Sequence, residues 1–195
     1  MLLCGMPIDE RRERERAARR RLIVTTARTL AEAEGWDAVT TRRLSTEIEY
    51  SQPVLYKHFS GMDRVAEAVA LDGFAELAEA LRAARTGADA PVDVPLALGR
   101  AYLDFARDNP AVYDAMFTRA TALSFAAEDT PPPLVEAFAE FRQGVTAGAD
   151  DRNADDRSEV FWAGLHGLVT LTRAGRLRPG HEAERLRLLV DGLTR

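Results

Sequence analysis

Residues 39–59 read VTTRRLSTEIEYSQPVLYKHF, and this stretch gives the clearest indication of the fold. Its apolar side chains recur at a spacing that predicts two short helices, over residues 41–49 and 52–59, on one small core. The predicted core residues are Val39, Leu44, Ile48, Leu55 and Phe59. A long helix precedes them, and the turn between the short helices is very brief. Three helices joined in this way are typical of a helix-turn-helix unit, which reads DNA with its last helix in the major groove.

The second short helix begins with favourable terminal residues. Ser51 is a good N-cap, and Pro53 suits the first turn because the N–H that it lacks would have no partner there. The other face of this helix carries Gln52, Pro53, Val54, Tyr56, Lys57 and His58. Glutamine can pair with adenine through two hydrogen bonds, proline or valine can touch a thymine methyl group, and the last three can bind phosphates.

The runs TTRRL at 40–44 and SQPVLYKHF at 51–59 resemble the DNA-binding domain of the tetracycline-repressor (TetR) family of bacterial regulators. The resemblance covers about residues 15–70. It implies a homodimer whose all-helical C-terminal domain binds a small effector and then releases a near-palindromic operator. By position, it implies DNA contacts from Thr41, Arg42, Ser51, Gln52, Pro53, Val54, Tyr56, Lys57 and His58. Of these, residues 52–54 would face bases, and residues 56–58 would lie on or near phosphates.

Two residues depart from the family pattern. Glu49 stands where the turn glycine is usual, so a non-glycine residue is expected to adopt positive φ at a cost of about 1 kcal/mol. Met62 stands where a lysine often begins the fourth helix, which removes a phosphate contact. Both departures predict a DNA affinity below that of a typical member.

A second run, WAGLHG at 162–167, resembles the Trp-x-x-x-His-Gly (WHG) stretch of one C-terminal domain type in this family. Trp162 and His166 are four residues apart and share one helix face. Gly164 and Gly167 would allow a neighbouring helix to approach closely. The resemblance implies that the last two helices form a four-helix dimer interface with those of a second copy.

The rest of the chain also has helical patterns, so the predicted fold class is all-α. Helices are expected over 8–34, from 63 to about 85, over 93–108, from 110, after the prolines at 131–133, over 156–173 and over 182–193. We predict three regions: a flexible arginine-rich arm at 1–14, the helix-turn-helix domain at 15–62, and a helical domain for effector binding and dimerisation at 63–195. The segment 11–21 has no apolar face, and both a DNA-binding arm and a solvated helix face remain open for it.

Composition limits the function further. The chain has 195 residues, one cysteine (Cys4) and three widely spaced histidines, so no disulfide, metal site or cofactor is expected. Nothing resembles a membrane span, and a cytoplasmic location is expected. Residues 1–64 carry a net charge of +2 and residues 65–195 a net charge of −7. The acidic C-terminal part argues against a strongly anionic effector. Either Met1 or Met6 can be the first residue of the protein.

The effector residues are less defined by the sequence. An aromatic-rich set could line a pocket and would favour a hydrophobic or aromatic effector, although such residues also commonly form the core. This set comprises Tyr102, Phe105, Tyr113, Phe117, Phe138, Trp162 and His166. No catalytic motif is present, so an enzyme is the least favoured class. The competing interpretation, motivated by Glu49 and Met62, is a helical ligand-binding or protein-interaction module with weakened DNA binding.

Overall fold

The computed structural model describes residues 8–120, 122–146 and 153–193, and Met1, Cys4 and Met6 lie outside these ranges. Within them every regular element is a helix, which confirms the predicted all-α class. None of the helices formed by these residues is long and apolar enough to cross a membrane.

Helix α1 spans Ile8–Glu34 and ends at Gly35, whose φ is 84°. Its second half buries Ile23 and Ala27 completely, because these residues lie one helical turn apart on the same face. Its first half is exposed from residue 11 to residue 22. The region expected as a flexible arm is therefore helical from Ile8 onward.

Two short helices follow a single 3-10 turn at Trp36–Ala38. Helix α2 spans Thr41–Glu47 and helix α3 spans Gln52–Tyr56, and each ends two or three residues before the predicted end. Helix α3 ends early because the amides of Lys57 and His58 bond the carbonyls three residues back, at 3.2 and 3.0 Å. This tight final turn leaves residues 57–59 outside the regular helix.

Helix α4 spans Met62–Thr86, and the chain separates into two compact units within it. Unit 1 contains residues up to 70 together with residues 111–122. The second segment holds helix α6 (Pro110–Asp114) except for its first residue, and a π-helical turn at Ala115–Arg119. The buried core of unit 1 includes Ile23, Ala27, Leu44, Leu55, Val65, Val69 and Met116.

Unit 2 contains residues 71–110 and the chain from 123 onward. Its helices are α5 at Val94–Asp108, α7 at Pro132–Val145, α8 at Ala154–Arg173 and α9 at Glu182–Leu193. Helices α5 and α8 each contact the other three, so these two helices form the centre of this unit. Its core includes Leu77, Leu81, Leu98, Tyr102, Phe141, Phe161 and Leu165.

The division into units differs from the predicted boundary between residues 62 and 63. Val65 and Val69 of α4 are buried in unit 1, so the first turns of α4 complete that unit. The indole Nε1 of Trp36 also donates a buried 2.8 Å hydrogen bond to the carbonyl of Ala111. Because this bond joins positions far apart in the chain, no local sequence pattern indicates it.

Candidate functional site

The residues predicted to contact DNA lie on α2 and α3 or directly beside α3, and these two helices pack against each other. Six of them are exposed: Arg42, Ser51, Gln52, Pro53, Tyr56 and Lys57. The remaining three, Thr41, Val54 and His58, are half-buried. Leu55 is 1% exposed and anchors α3, so the other side chains of this short helix point away from the core.

The start of α2 is fixed by its N-cap. The hydroxyl of Thr40 accepts a 3.1 Å hydrogen bond from the amide of Arg43. The guanidinium of Arg43 is bound by Glu34 and Glu47, at 3.0 Å each. Arg42 points elsewhere, and its side chain has no ion pair within the described residues. Of these two adjacent arginines, Arg43 therefore has carboxylate partners within the fold, whereas the side chain of Arg42 is exposed.

Ser51 occupies the N-cap position of α3, as the sequence predicts, but its side chain makes no capping hydrogen bond. An N-cap hydroxyl accepts from the second or third helical amide. The second residue here is Pro53, which has no N–H, and the amide of Val54 already bonds the carbonyl of Ser51 at 2.9 Å. The hydroxyl of Ser51 thus remains available at the exposed start of α3.

Glu49 adopts a φ of 55°, which confirms the positive φ predicted for this turn. The amide of Tyr50 bonds the carbonyl of Ser45 at 3.0 Å, and the amide of Glu49 bonds that of Thr46 at 3.3 Å. This pair of bonds is the Schellman arrangement, in which glycine normally occupies the left-handed position. Glutamate holds the same turn with strain that glycine would not have.

Arginines of α1 converge on the end of α3. Arg20 donates a 3.2 Å hydrogen bond to the carbonyl of His58, and its guanidinium lies 4.1 Å from the ring centre of Phe59. Burial lowers the pKa of His58 below 6.5, and the charges of Arg16, Arg19, Arg20 and Lys57 lower it further. The charges of four cations therefore act on one imidazole.

The sequence leaves two roles open for the segment 11–21, because this segment has no apolar face to show which side of the helix is turned toward the protein. The structure shows which side that is. Arg16 and Arg20 lie one helical turn apart on α1, and the packing of Ile23 and Ala27 sets which way that face points. The side chain of Arg16 forms no ion pair among the described residues. This positive end of α1 adds to the surface formed by α2 and α3.

The aromatic-rich set is divided between the two units. Tyr113 and Phe117 pack together in unit 1, with ring centres 4.6 Å apart. The other five lie in unit 2, where Tyr102 is fully buried and its hydroxyl lies 3.2 Å from the indole Nε1 of Trp162. Burial lowers the pKa of His166, whose ring centre is 6.5 Å from that of Trp162. Phe105 is buried and Phe138 is half-buried. An effector role for these residues stays a prediction.

Unit 2 also contains a cavity of about 660 Å³ between α5, α8 and α9. Its lining includes Arg100, Leu103, Asp104, Arg107, Leu168, Arg173, Glu182, Arg185 and Leu186, and none of the seven predicted effector residues. Sequence reasoning missed this cavity because its walls come from three helices, and no linear motif marks arginines and leucines spread in this way. Only their spacing on α5, at residues 100, 103, 104 and 107, indicates a shared face.

Two family profiles match the chain. The profile described as bacterial regulatory proteins, tetR family, matches residues 23–69. The profile described as tetracyclin repressor-like, C-terminal domain, matches residues 96–193, which is half of the chain. The second match contains the WAGLHG run at 162–167.

Similar proteins agree with these matches. The chain is 29% identical over 163 residues to the uncharacterized HTH-type transcriptional regulator Rv0681 of Mycobacterium tuberculosis (strain ATCC 25618 / H37Rv), covering 80% of this chain and 71% of that protein. BioQ, solved with its natural double-stranded DNA operator, has 22% identity and a TM-score of 0.65, with 89% of this chain and 96% of BioQ covered. A TetR variant from Acinetobacter baumannii AYE, solved in complex with minocycline, has 16% identity and a TM-score of 0.65, with 88% of this chain and 94% of that chain covered.

The two profiles match residues 23–69 and 96–193, and the N-terminal match contains the whole of α2 and α3. The function class is therefore a DNA-binding transcriptional regulator and not an enzyme, as the sequence predicted. The chain belongs to the TetR family of bacterial transcriptional regulators.

Proposed function

We propose that this regulator represses transcription in the cytoplasm as a homodimer that binds a near-palindromic operator and is released by a small-molecule effector. One observation carries the proposal: the exposed polar row of α3 continues into the positive end of α1. Gln52 is exposed on α3 and Lys57 is exposed directly after it, and Arg20 bonds the carbonyl of the next residue, His58. Base-reading and phosphate-binding side chains thus share one surface.

The base-reading role falls on the start of α3. Gln52 has the amide geometry that pairs with adenine, and Pro53 and Val54 can contact thymine methyl groups. Lys57 and Arg42 supply positive charge for phosphates on either side, and Ser51, Thr41, Tyr56 and His58 can donate hydrogen bonds to them. The chain as a whole carries a net charge of −5, so DNA affinity must come from this local positive surface.

The proposed dimer surface lies on α8 and α9. Val160 and Leu171 are 62% and 41% exposed on one face of α8, and Leu188 of α9 is 62% exposed. Gly167 lies between the first two on the same helix, and a Cβ there would meet nothing within 4 Å. An apolar stripe with a glycine in it lets a second copy pack its own α8 and α9 closely against this one. A second copy also supplies the second half-site reader that a palindrome requires.

Release by an effector requires that the ligand bind one conformation more tightly than the other. The solved neighbour in complex with minocycline supports a small-molecule role for this fold. In this chain, the 660 Å³ cavity of unit 2 has the size of a ligand site. A ligand that prefers the conformation with poor half-site spacing would lower operator affinity.

The test is a selection of binding sites from random duplex DNA with the purified full chain at near-physiological salt. We expect an inverted repeat with a fixed half-site spacing, and an affinity that falls steeply with added salt because several phosphates are neutralised. Enrichment of a lone half-site would contradict the dimer. No enrichment from folded, dimeric protein would overturn the proposal and favour a helical ligand-binding or protein-interaction module.

The dimer surface has its own experiment. Leu188→Asp should convert the dimer to monomers in sedimentation velocity, because it buries a charge in the apolar stripe. Leu22→Asp is the matched control, since Leu22 is 42% exposed on α1, outside this surface. If both variants stay dimeric, the interface lies elsewhere.

A further inference from the structure

We propose that the cavity between α5, α8 and α9 binds an organic monocarboxylate with an apolar body, and that Arg100 receives its carboxylate. The binding itself is independent of DNA. Only its regulatory consequence rests on the proposed function, in which this anion would be the effector.

The shape of the cavity suits an elongated molecule. Along α5 its wall runs from Arg100 to Arg107, a length of about 10 Å at 1.5 Å per residue, and Pro110 extends the lining beyond the end of this helix. The Leu186 end lies near Arg100, because Leu186 packs against the neighbouring Gly99 so closely that a Cβ there would collide with it. The opposite end is marked by Arg173, whose guanidinium donates to the carbonyl of Pro110 at 3.4 Å.

The walls between these ends are largely apolar. Leu103 and Ala106 come from α5, Leu168 and Val169 from α8, and Ala183 and Leu186 from α9. A hydrocarbon body placed against them would leave water, which contributes about 25 cal/mol for each Å² of apolar surface buried. This contribution has no directional preference, so the charged lining residues must decide which end of a ligand lies where.

The lining carries an excess of positive charge. Four arginines face two carboxylates: Arg100, Arg107, Arg173 and Arg185 against Asp104 and Glu182. Arg107 is already bound by Asp104 at 2.6 Å and by Asp108 at 2.9 Å. The pKa of Glu182 is lowered by hydrogen bonds from its own amide and that of Gly180, and by Arg185, so Glu182 is ionised and offsets Arg185.

Arg100 is different from these paired residues. Its side chain forms no ion pair or hydrogen bond within the described parts of the chain, and it is exposed at the rim of the cavity. A guanidinium can hold a carboxylate through two parallel hydrogen bonds, which an alcohol cannot reproduce. The expectation of a non-anionic effector followed from the net charge of −7 over residues 65–195. The net charge of the residues that line the cavity is positive, because most of those acids lie outside it.

The probes are octanoate, 1-octanol and octylamine, which share one hydrocarbon chain and differ in their head group. Isothermal titration of the full chain without DNA should give one octanoate site per chain, with 1-octanol at least about tenfold weaker and octylamine not bound. Arg100→Gln should weaken octanoate about tenfold and leave 1-octanol unchanged. Arg187→Gln is the matched control, because Arg187 is an exposed α9 arginine that pairs with Glu184 at 3.2 Å and does not line the cavity.

Equal affinities for octanoate and 1-octanol, no octanoate binding, or equal losses in Arg100→Gln and Arg187→Gln would each overturn the proposal. Circular dichroism of both variants separates these results from unfolding. A titration of the selected operator complex with octanoate then tests the regulatory role separately. If octanoate binds the chain but does not release the operator, the cavity is a binding site and is not the effector site. If the operator selection fails, the result of the titration without DNA is unaffected.

Discussion

The side-chain carboxylate of Glu32 accepts a 3.0 Å hydrogen bond from the backbone amide of Ala111, and its other oxygen accepts one of 3.0 Å from Val112. A carboxylate of α1 thus caps the first turn of α6, where amides have no helical partner and the helix dipole favours negative charge. These bonds help to hold residues 111–122 within unit 1.

Removing this cap should destabilise unit 1. Glu32→Ala leaves two amides without an acceptor, and we expect a loss of about 1–3 kcal/mol in the free energy of unfolding. Denaturant unfolding followed by tryptophan fluorescence measures it, since Trp36 bonds the carbonyl of Ala111. Glu34→Ala is the control, because Glu34 forms an exposed ion pair with Arg43, and such pairs contribute about 1 kcal/mol at most. Equal losses in the two variants would show that the cap contributes nothing.

The turn before α3 should be improved by glycine. Glu49→Gly removes the strain of a φ of 55°, and we expect it to be more stable than Glu49→Ala by up to about 1 kcal/mol. The alanine variant controls for the lost charge, because alanine keeps the strain. Thermal unfolding of the two variants side by side provides the measurement. A glycine variant that is less stable than the alanine variant would rule out strain at this turn.

Gln52 and Lys57 should affect DNA binding in different ways. Gln52→Ala should cost about 1–3 kcal/mol on the selected operator and relax the base preference at one position per half-site. Lys57→Ala should weaken all sequences alike and flatten the salt dependence by about one unit for each lost phosphate contact. Binding curves over a salt series on matched and mismatched duplexes separate the two effects. An unchanged base preference in Gln52→Ala would place base reading elsewhere.

Met62 should be a position where affinity can be gained. It is the half-buried first residue of α4, and Met62→Lys would place a cation at a helix start beside the proposed interface. We expect tighter operator binding and a salt slope steeper by about 0.9 per added phosphate contact in each protomer. Met62→Gln is the uncharged polar control. If lysine and glutamine give the same salt slope, no phosphate lies near α4.

His58 should make operator binding sensitive to pH. In the free protein its pKa lies below 6.5, so folding stability from its neutral form is present above pH 6.5 and is lost as the pH falls through the lowered pKa. Nearby phosphates would raise this pKa, so the complex takes up a proton and affinity rises as the pH falls. From about pH 7.5 to about pH 5.5, the wild type should gain more affinity than His58→Gln. Identical pH profiles for the two proteins would show that His58 does not lie near the DNA phosphates.

Much of this fold followed from local patterns. The periodic apolar positions at 23, 27 and 30 placed the long first helix, and its predicted range of 8–34 is confirmed. Glycine at 35 and the short turn around Glu49 marked the boundaries, because a left-handed backbone conformation has a local signature. The predicted end of α3 was less accurate. The tight final turn at residues 57–59 depends on which carbonyls are nearby and not on residue type.

The helical class, the helix-turn-helix unit and the family can be inferred from the amino-acid sequence, since these depend on spacings within about 20 residues. The tertiary structure was needed to show that residues 111–122 belong with unit 1, that the charges of α1 arginines act on His58, and that the aromatic-rich set is divided between two units. It also decided where the charged cavity lies. Each of these depends on side chains brought together from distant positions, and neither helical periodicity nor composition records which faces meet.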